Sequence, residues 1–245
     1  MKNKYGLDRE IPPDIKRAVR QRCGFGCVVC GLGIIEYEHV DPEFSEAREH
    51  DADKIALLCS QCHSKVTTGF WSKEKIQKAM QRPVCKQQGF TKEVFDFCGG
   101  HPSLQFGGML LANCPIPIQV GGQPLFKVEK PEQEGGPFRL SGIFCDLNGK
   151  ITLQIVENEW IASSDKWDVE VSGGAITIRE AHRKIHLKLK VEPLQKLVVE
   201  RLNMNLNNLG FEANGDFLRV RFSGGNVAEF TGCVADNCPV GISFS

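Results

Sequence analysis

Two pairs of cysteines, Cys27-x2-Cys30 and Cys59-x2-Cys62, constrain this chain more than any other feature, with 28 residues between the pairs. A CxxC knuckle presents two sulfurs from one tight turn, and two knuckles complete the tetrahedral thiolate shell that zinc prefers. Such an ion staples a segment too small and polar to hold a core of its own. The remaining chemistry is consistent with metal rather than disulfides. The N-terminus MKNKYGLDRE has no apolar signal core, and no run approaches the roughly eighteen apolar residues of a membrane span. A soluble, cytoplasmic protein is expected, in which the 11 cysteines stay reduced. Cys23 stands at a wider spacing from Cys27 and reads as a packing residue.

Around the knuckles the chain reads as short elements. IPPDIKRAVRQR suits a helix capped by Asp14, with Ile15, Ala18 and Val19 on one face and Lys16, Arg17, Arg20 and Arg22 on the rest. IIEYEHV suits a strand, the acidic stretch 41–53 a loop, KIALL a short apolar run, and Ser60 to Thr68 a helix. KEKIQKAMQ is a further helix, capped by Ser72 and stopped before Pro83. Residues 1–95 hold 16 Lys and Arg against 13 Asp and Glu, while the whole chain is neutral. A mild basic excess permits a nucleic-acid face there without requiring one.

CVVCG, then EYEHV, then KIALLCSQCHSKVTTG resembles the zinc-stapled HNH nucleases over about residues 10–82. That resemblance implies an N-terminal ββα-metal (HNH) domain, residues 1–95, carrying a catalytic divalent ion beside the zinc. His39 matches the family's general base on the attacking water, and His63 matches the histidine that opens the helix and binds the catalytic ion. Glu38 stands where a second ligand to that ion is usual. Cys27, Cys30, Cys59 and Cys62 match the zinc ligands. The family's asparagine corresponds to Lys54, with His50, Asp51 and Asp53 nearby, so the middle letter of the family name is replaced.

The chemistry suits those residue types. Phosphodiester hydrolysis needs an activated water and a cation to offset charge on the phosphate. A neutral imidazole takes the water's proton near neutral pH. A carboxylate and a histidine leave open positions on Mg²⁺ or Mn²⁺ for phosphate oxygens and water. The expected activity is therefore that of an HNH endonuclease acting on DNA, with RNA also open, in bacterial phage defence or a mobile element. The other reading is a zinc-stapled module that binds nucleic acid or protein with weak or no turnover. Lys54, Lys65 and Arg20 are the candidate nucleic-acid contacts.

From about Gly99 the chain changes character. ITLQIV, KWDVEV, AITIR, IHLKLKV, KLVVERL, DFLRVRF and VGISFS alternate or run apolar, separated by turns such as DLNGK, NGD and SGGN. Residues 100–245 are expected to form an all-β domain, a sandwich or barrel, with a β-solenoid as the alternative. The fold class is thus α+β. Cys98 with His101, and Cys233 with Cys238, lack knuckle spacing and read as buried thiols and packing; Cys85, Cys114 and Cys145 read as core or linker. Trp160 and Trp167 read as core, and His182 and His186, with Arg179, Arg183 and Lys184, as a basic hairpin tip. No catalytic signal lies in this half. Its expected role is targeting, oligomerisation or regulation, through a partner protein, a second copy or a nucleic acid.

Overall fold

The computed structural model describes residues 2–192 and 195–245. The chain separates into two compact units, Met1–Glu93 with Ser163–Val171, and Val94–Ala162 with Ser172–Ser245. In chain order the first elements are α1 (Pro13–Cys23), β1 (Glu36–His39), β2 (Ile55–Leu58), α2 (Ser60–Thr67), α3 (Lys73–Gln81), α4 (Val84–Gln88) and β3 (Phe90–Val94). Then follow β4 (Ser103–Phe106), β5 (Met109–Ala112), β6 (Ile116–Val120), β7 (Gln123–Glu129), β8 (Arg139–Cys145), β9 (Ile151–Val156) and β10 (Glu159–Ser163). The last are β11 (Asp168–Ser172), β12 (Ala175–Ala181), β13 (Lys184–Glu192), β14 (Lys196–Leu206), β15 (Leu209–Ala213), β16 (Leu218–Arg221), β17 (Val227–Phe230), β18 (Cys233–Asp236) and β19 (Val240–Phe244). The chain is α+β, with few helices and mostly sheet. Among the described residues, no helix is long and apolar enough to cross a membrane.

In the first unit β1 and β2 pair antiparallel, with His39 opposite Ile55 and Glu36 opposite Leu58. All four residues of β2 are fully buried, which explains why KIALL is a continuous apolar run rather than an alternating one. With Val19 and Cys23 of α1, Val66 of α2 and Ile76 of α3, β2 builds one small core. Cys23 packs in that core, as its spacing suggests.

The helix ends show which local signals operate. Ser72 caps α3, its hydroxyl accepting the Lys75 N–H at 3.3 Å. Asp14 does not cap α1: Pro12 occupies that position and Asp14 sits in the first turn. There its charge favours the helix dipole without closing a hydrogen bond. The segment Ser163–Val171, which the sequence places in the β half, packs with the first unit. Its anchor is a buried pair: Arg20 Nε and Nη2 each lie 2.8 Å from an Asp168 carboxylate oxygen, and Arg20 Nη1 donates to Tyr37 Oη at 2.9 Å. The two side chains are 6% and 1% exposed.

Arg20 is therefore not a nucleic-acid contact. Its apparent place on a basic helix face is overridden by a carboxylate from far along the chain. Removing one member of a buried pair strands the other charge, which costs about 3–5 kcal/mol. Arg20→Ala should lower the stability of the first unit by about that much, read as a shift in the urea midpoint. An unshifted midpoint would show that Asp168 finds other partners.

In the second unit, β19-β6-β7-β8-β9-β10 lie side by side, as do β12-β13-β14-β15-β16-β17. Strands adjacent in the chain mostly pair antiparallel through hairpins, as in β8 with β9 and β12 with β13. That pattern departs from the solenoid alternative, whose coils stack parallel strands. Three parallel pairings join distant segments: β4 with β14, β5 with β18 and β6 with β19. The two sheets face one another across a core of rings. Phe126 stands 5.2 Å from both Phe106 and Phe144, and Phe244 lies against Phe211, Phe222 and Phe230. Trp160 is in this core. His186 is buried inside β13, 3.2 Å from Thr152 Oγ1, so it does not belong to a hairpin tip.

Candidate metal centre and adjoining cleft

The first knuckle turns at Gly31, whose φ of +83° suits glycine. Gly31 N–H closes on Cys27 O at 2.9 Å, and Cys27 N–H on Leu32 O at 2.8 Å. The second knuckle is the start of α2: Cys59 is its cap residue, its sulfur accepting the Cys62 N–H at 3.5 Å. His63 follows in the first helical turn, its N–H on Cys59 O at 2.8 Å. The metal knuckle and the histidine are thus set by the same turn of helix.

The four Sγ atoms of Cys27, Cys30, Cys59 and Cys62 lie within 4.8 Å of one another, the one such cluster of possible ligands among the described residues. Cys30 Sγ is 3.6 Å from Cys59 Sγ and 3.9 Å from Cys62 Sγ. A tetrahedron with bonds of about 2.3 Å has an edge of about 3.8 Å, so the spacing fits zinc. Burial and the neighbouring sulfurs push the Cys62 thiol up to about 12, and a divalent cation at the centre favours the thiolates instead. Cys23 stays outside the cluster. Cys98 is exposed and Cys233 and Cys238 are half-buried, so these positions are not all buried thiols, and they form no second cluster among the described residues.

Beside this centre lies a cavity of about 630 Å³, whose lining includes Glu36, Glu38, His39, His63 and Lys73. Three segments supply them: β1, the first turn of α2, and the start of α3. Glu36 and Glu38 alternate onto one face of β1. His63 Nε2 is 2.9 Å from Glu38 Oε2, and its Nδ1 is 3.4 Å from Glu36 Oε2. One carboxylate thus faces each ring nitrogen. Lys73 Nζ bonds the other Glu38 oxygen and donates to His39 O at 3.1 Å. His39 is 8% exposed, with Phe44 edge-on at 5.4 Å and His50 Nδ1 3.1 Å from its Nε2. Burial first, and then His50, hold the His39 pKa below its ordinary value. The neutral imidazole, the form able to accept a proton, is favoured. Arg9 and Lys16 also line the cavity.

The cleft therefore brings together His39, His63 and Glu38 as the sequence suggests. Lys54 is elsewhere, bordering a smaller groove of about 320 Å³ with Arg22, Asp53 and Gln77. Lys65 lies over the Trp71 ring, 4.7 Å from its centroid. The sequence assigns Glu36 and Lys73 no place here, and it marks His50 only as near enough to stand in for the family's asparagine. Glu36 had a signal, since it lies two residues before Glu38 on the same strand. Lys73 had none, because it reaches the cleft only through the packing of α3. No family model, curated protein or solved structure matches the chain. What is established is a mostly β chain with a few helices and a four-cysteine cluster consistent with structural zinc.

Proposed function

We propose that the first unit is a metal-dependent endonuclease of the HNH type, hydrolysing phosphodiester bonds in DNA. The observation that carries this reading is the cleft: an imidazole–carboxylate pair, His63 and Glu38, shares one cavity with the buried imidazole of His39. Cys27, Cys30, Cys59 and Cys62 would hold zinc, which shapes the site. Glu38 and His63 would hold Mg²⁺ or Mn²⁺. Glu38 Oε2 and His63 Nε2 lie 2.9 Å apart, close enough for both to serve one ion. Glu36 Oε2, 3.4 Å from His63 Nδ1, stands where a carboxylate would orient a ligating histidine. The bound ion supplies charge to the scissile phosphate.

The chain's own residues do the rest. His39 Nε2 and His50 Nδ1 share a hydrogen bond at 3.1 Å; in the tautomer in which His39 is the donor, its Nδ1 would carry the lone pair that accepts the proton of the attacking water. Arg9 and Lys16 offer cations to phosphate oxygens at the rim. Two observations favour the second reading, a binding module without turnover. Lys73 bonds Glu38 directly and so competes with an ion, and Lys54 replaces the family's asparagine.

Plasmid DNA incubated with the zinc-loaded protein and Mg²⁺ or Mn²⁺ separates the two. Nicked and linear products appearing only with the added ion are expected. Retarded but uncut plasmid would instead establish the binding module.

A further inference from the structure

The loop between α2 and α3 holds an aromatic side chain that the proposed chemistry leaves unused. Phe70 is 80% exposed, the most exposed large apolar residue of the chain's described part. Its neighbour Trp71 behaves oppositely, packing against the first unit's core. Gly69 at φ +73° turns the chain out of α2, and Trp71 N–H bonds Lys65 O at 2.8 Å. That turn half-buries the Trp71 ring and leaves the Phe70 ring in water.

Two ammonium groups stand over the neighbouring Trp71 ring. Lys65 Nζ and Lys75 Nζ stand 4.7 Å and 3.9 Å from the Trp71 ring centroid. Among the described residues neither has a carboxylate partner, so both are held in place by cation–π contact while their charge stays unneutralised. Phe70 is three residues from Thr67 and three from Lys73, both of which line the cavity. Three residues of chain span at most about 11 Å.

We propose that Phe70 is a stacking platform for an unpaired base, with Lys65 and Lys75 receiving the adjoining phosphates, so that the cleft takes single-stranded nucleic acid or a locally opened strand. This deepens the nuclease reading and rests on nucleic acid being the ligand of the cleft. A duplex keeps its base faces inside its own stack, whereas every unpaired base offers a π face to a protein ring. Unpaired lysines track the backbone regardless of sequence. An exposed ring next in the chain to a ring that carries two such lysines combines the two elements that bind single strands.

The test uses the full-length, zinc-loaded His39→Ala protein, with no added Mg²⁺ and at fixed salt. Anisotropy of a labelled single-stranded oligodeoxynucleotide is measured beside the same sequence as a duplex. Phe70→Ala should weaken single-strand binding about tenfold and leave duplex binding unchanged, and Phe70→Tyr should restore it. A 2-aminopurine base in the strand should be quenched by the parent and not by Phe70→Ala. Equal single-strand affinity in Phe70→Ala and parent overturns the proposal, as does equal loss on strand and duplex. If the unmutated protein cuts nothing with Mg²⁺ yet these losses appear, the catalytic reading fails and the stacking platform stands.

Discussion

His39→Ala is expected to lower plasmid cleavage by about 10²- to 10⁴-fold, the contribution of a positioned general base, with zinc content and circular dichroism unchanged. The expectation follows from where the ring sits. At 8% exposure, with Phe44 at its edge and His50 on Nε2, the imidazole is kept neutral and in one orientation. A positioned base acts only from such a fixed site. Because truncation leaves a small void beside Phe44, His39→Gln serves as the second variant: it fills the space but cannot take a proton at neutral pH. Both variants should be equally slow. Cleavage retained in His39→Gln would mean that another group, His50 being nearest, accepts the proton.

Loss of the metal should have the largest effect on the fold. Cys62→Ser is expected to abolish stoichiometric zinc binding and to unfold the first unit, while the second unit keeps its sheets. Apparent binding free energies of structural zinc run to about 10–16 kcal/mol, which matches or exceeds the whole stability of a typical domain, about 5–15 kcal/mol. The first unit's core is small, and Cys27, Cys59 and Cys62 are themselves part of it. Zinc content by elemental analysis, with hydrogen exchange across Glu36–His39 and Ile55–Leu58, measures both effects. Full protection of those strands in zinc-free protein would show that the core holds without the ion. Phe70→Ala should leave zinc content and protection untouched, which separates a surface contact from a structural one.

Much of the candidate site could be read directly because its parts are local. CxxC spacing places two sulfurs on one turn wherever the chain goes, and His63 is set relative to Cys62 by helix geometry alone. Ser72 as the cap of α3 and the strand character of EYEH are equally local. What escaped the sequence depends on partners that local pattern does not name. Arg20 has the appearance of a solvated or phosphate-binding cation until Asp168, 148 residues away, buries it. Lys73 reaches Glu38 and His39 O only because α3 folds back on β1. His50 meets His39 across a loop.

The amino-acid order alone determined that four thiols could share one ion, that a histidine would ride on the second knuckle, and that the latter half would be strands broken by tight turns. Backbone periodicity and fixed knuckle spacing act over a few residues, so a short stretch is enough to reveal them. Only the tertiary structure decided which charges remain available to a ligand. Whether a lysine or arginine faces water, a ring or a carboxylate is set by desolvation and packing between distant segments. That is why Arg20 is spent inside the first unit while Lys65 and Lys75 keep their charge at its surface.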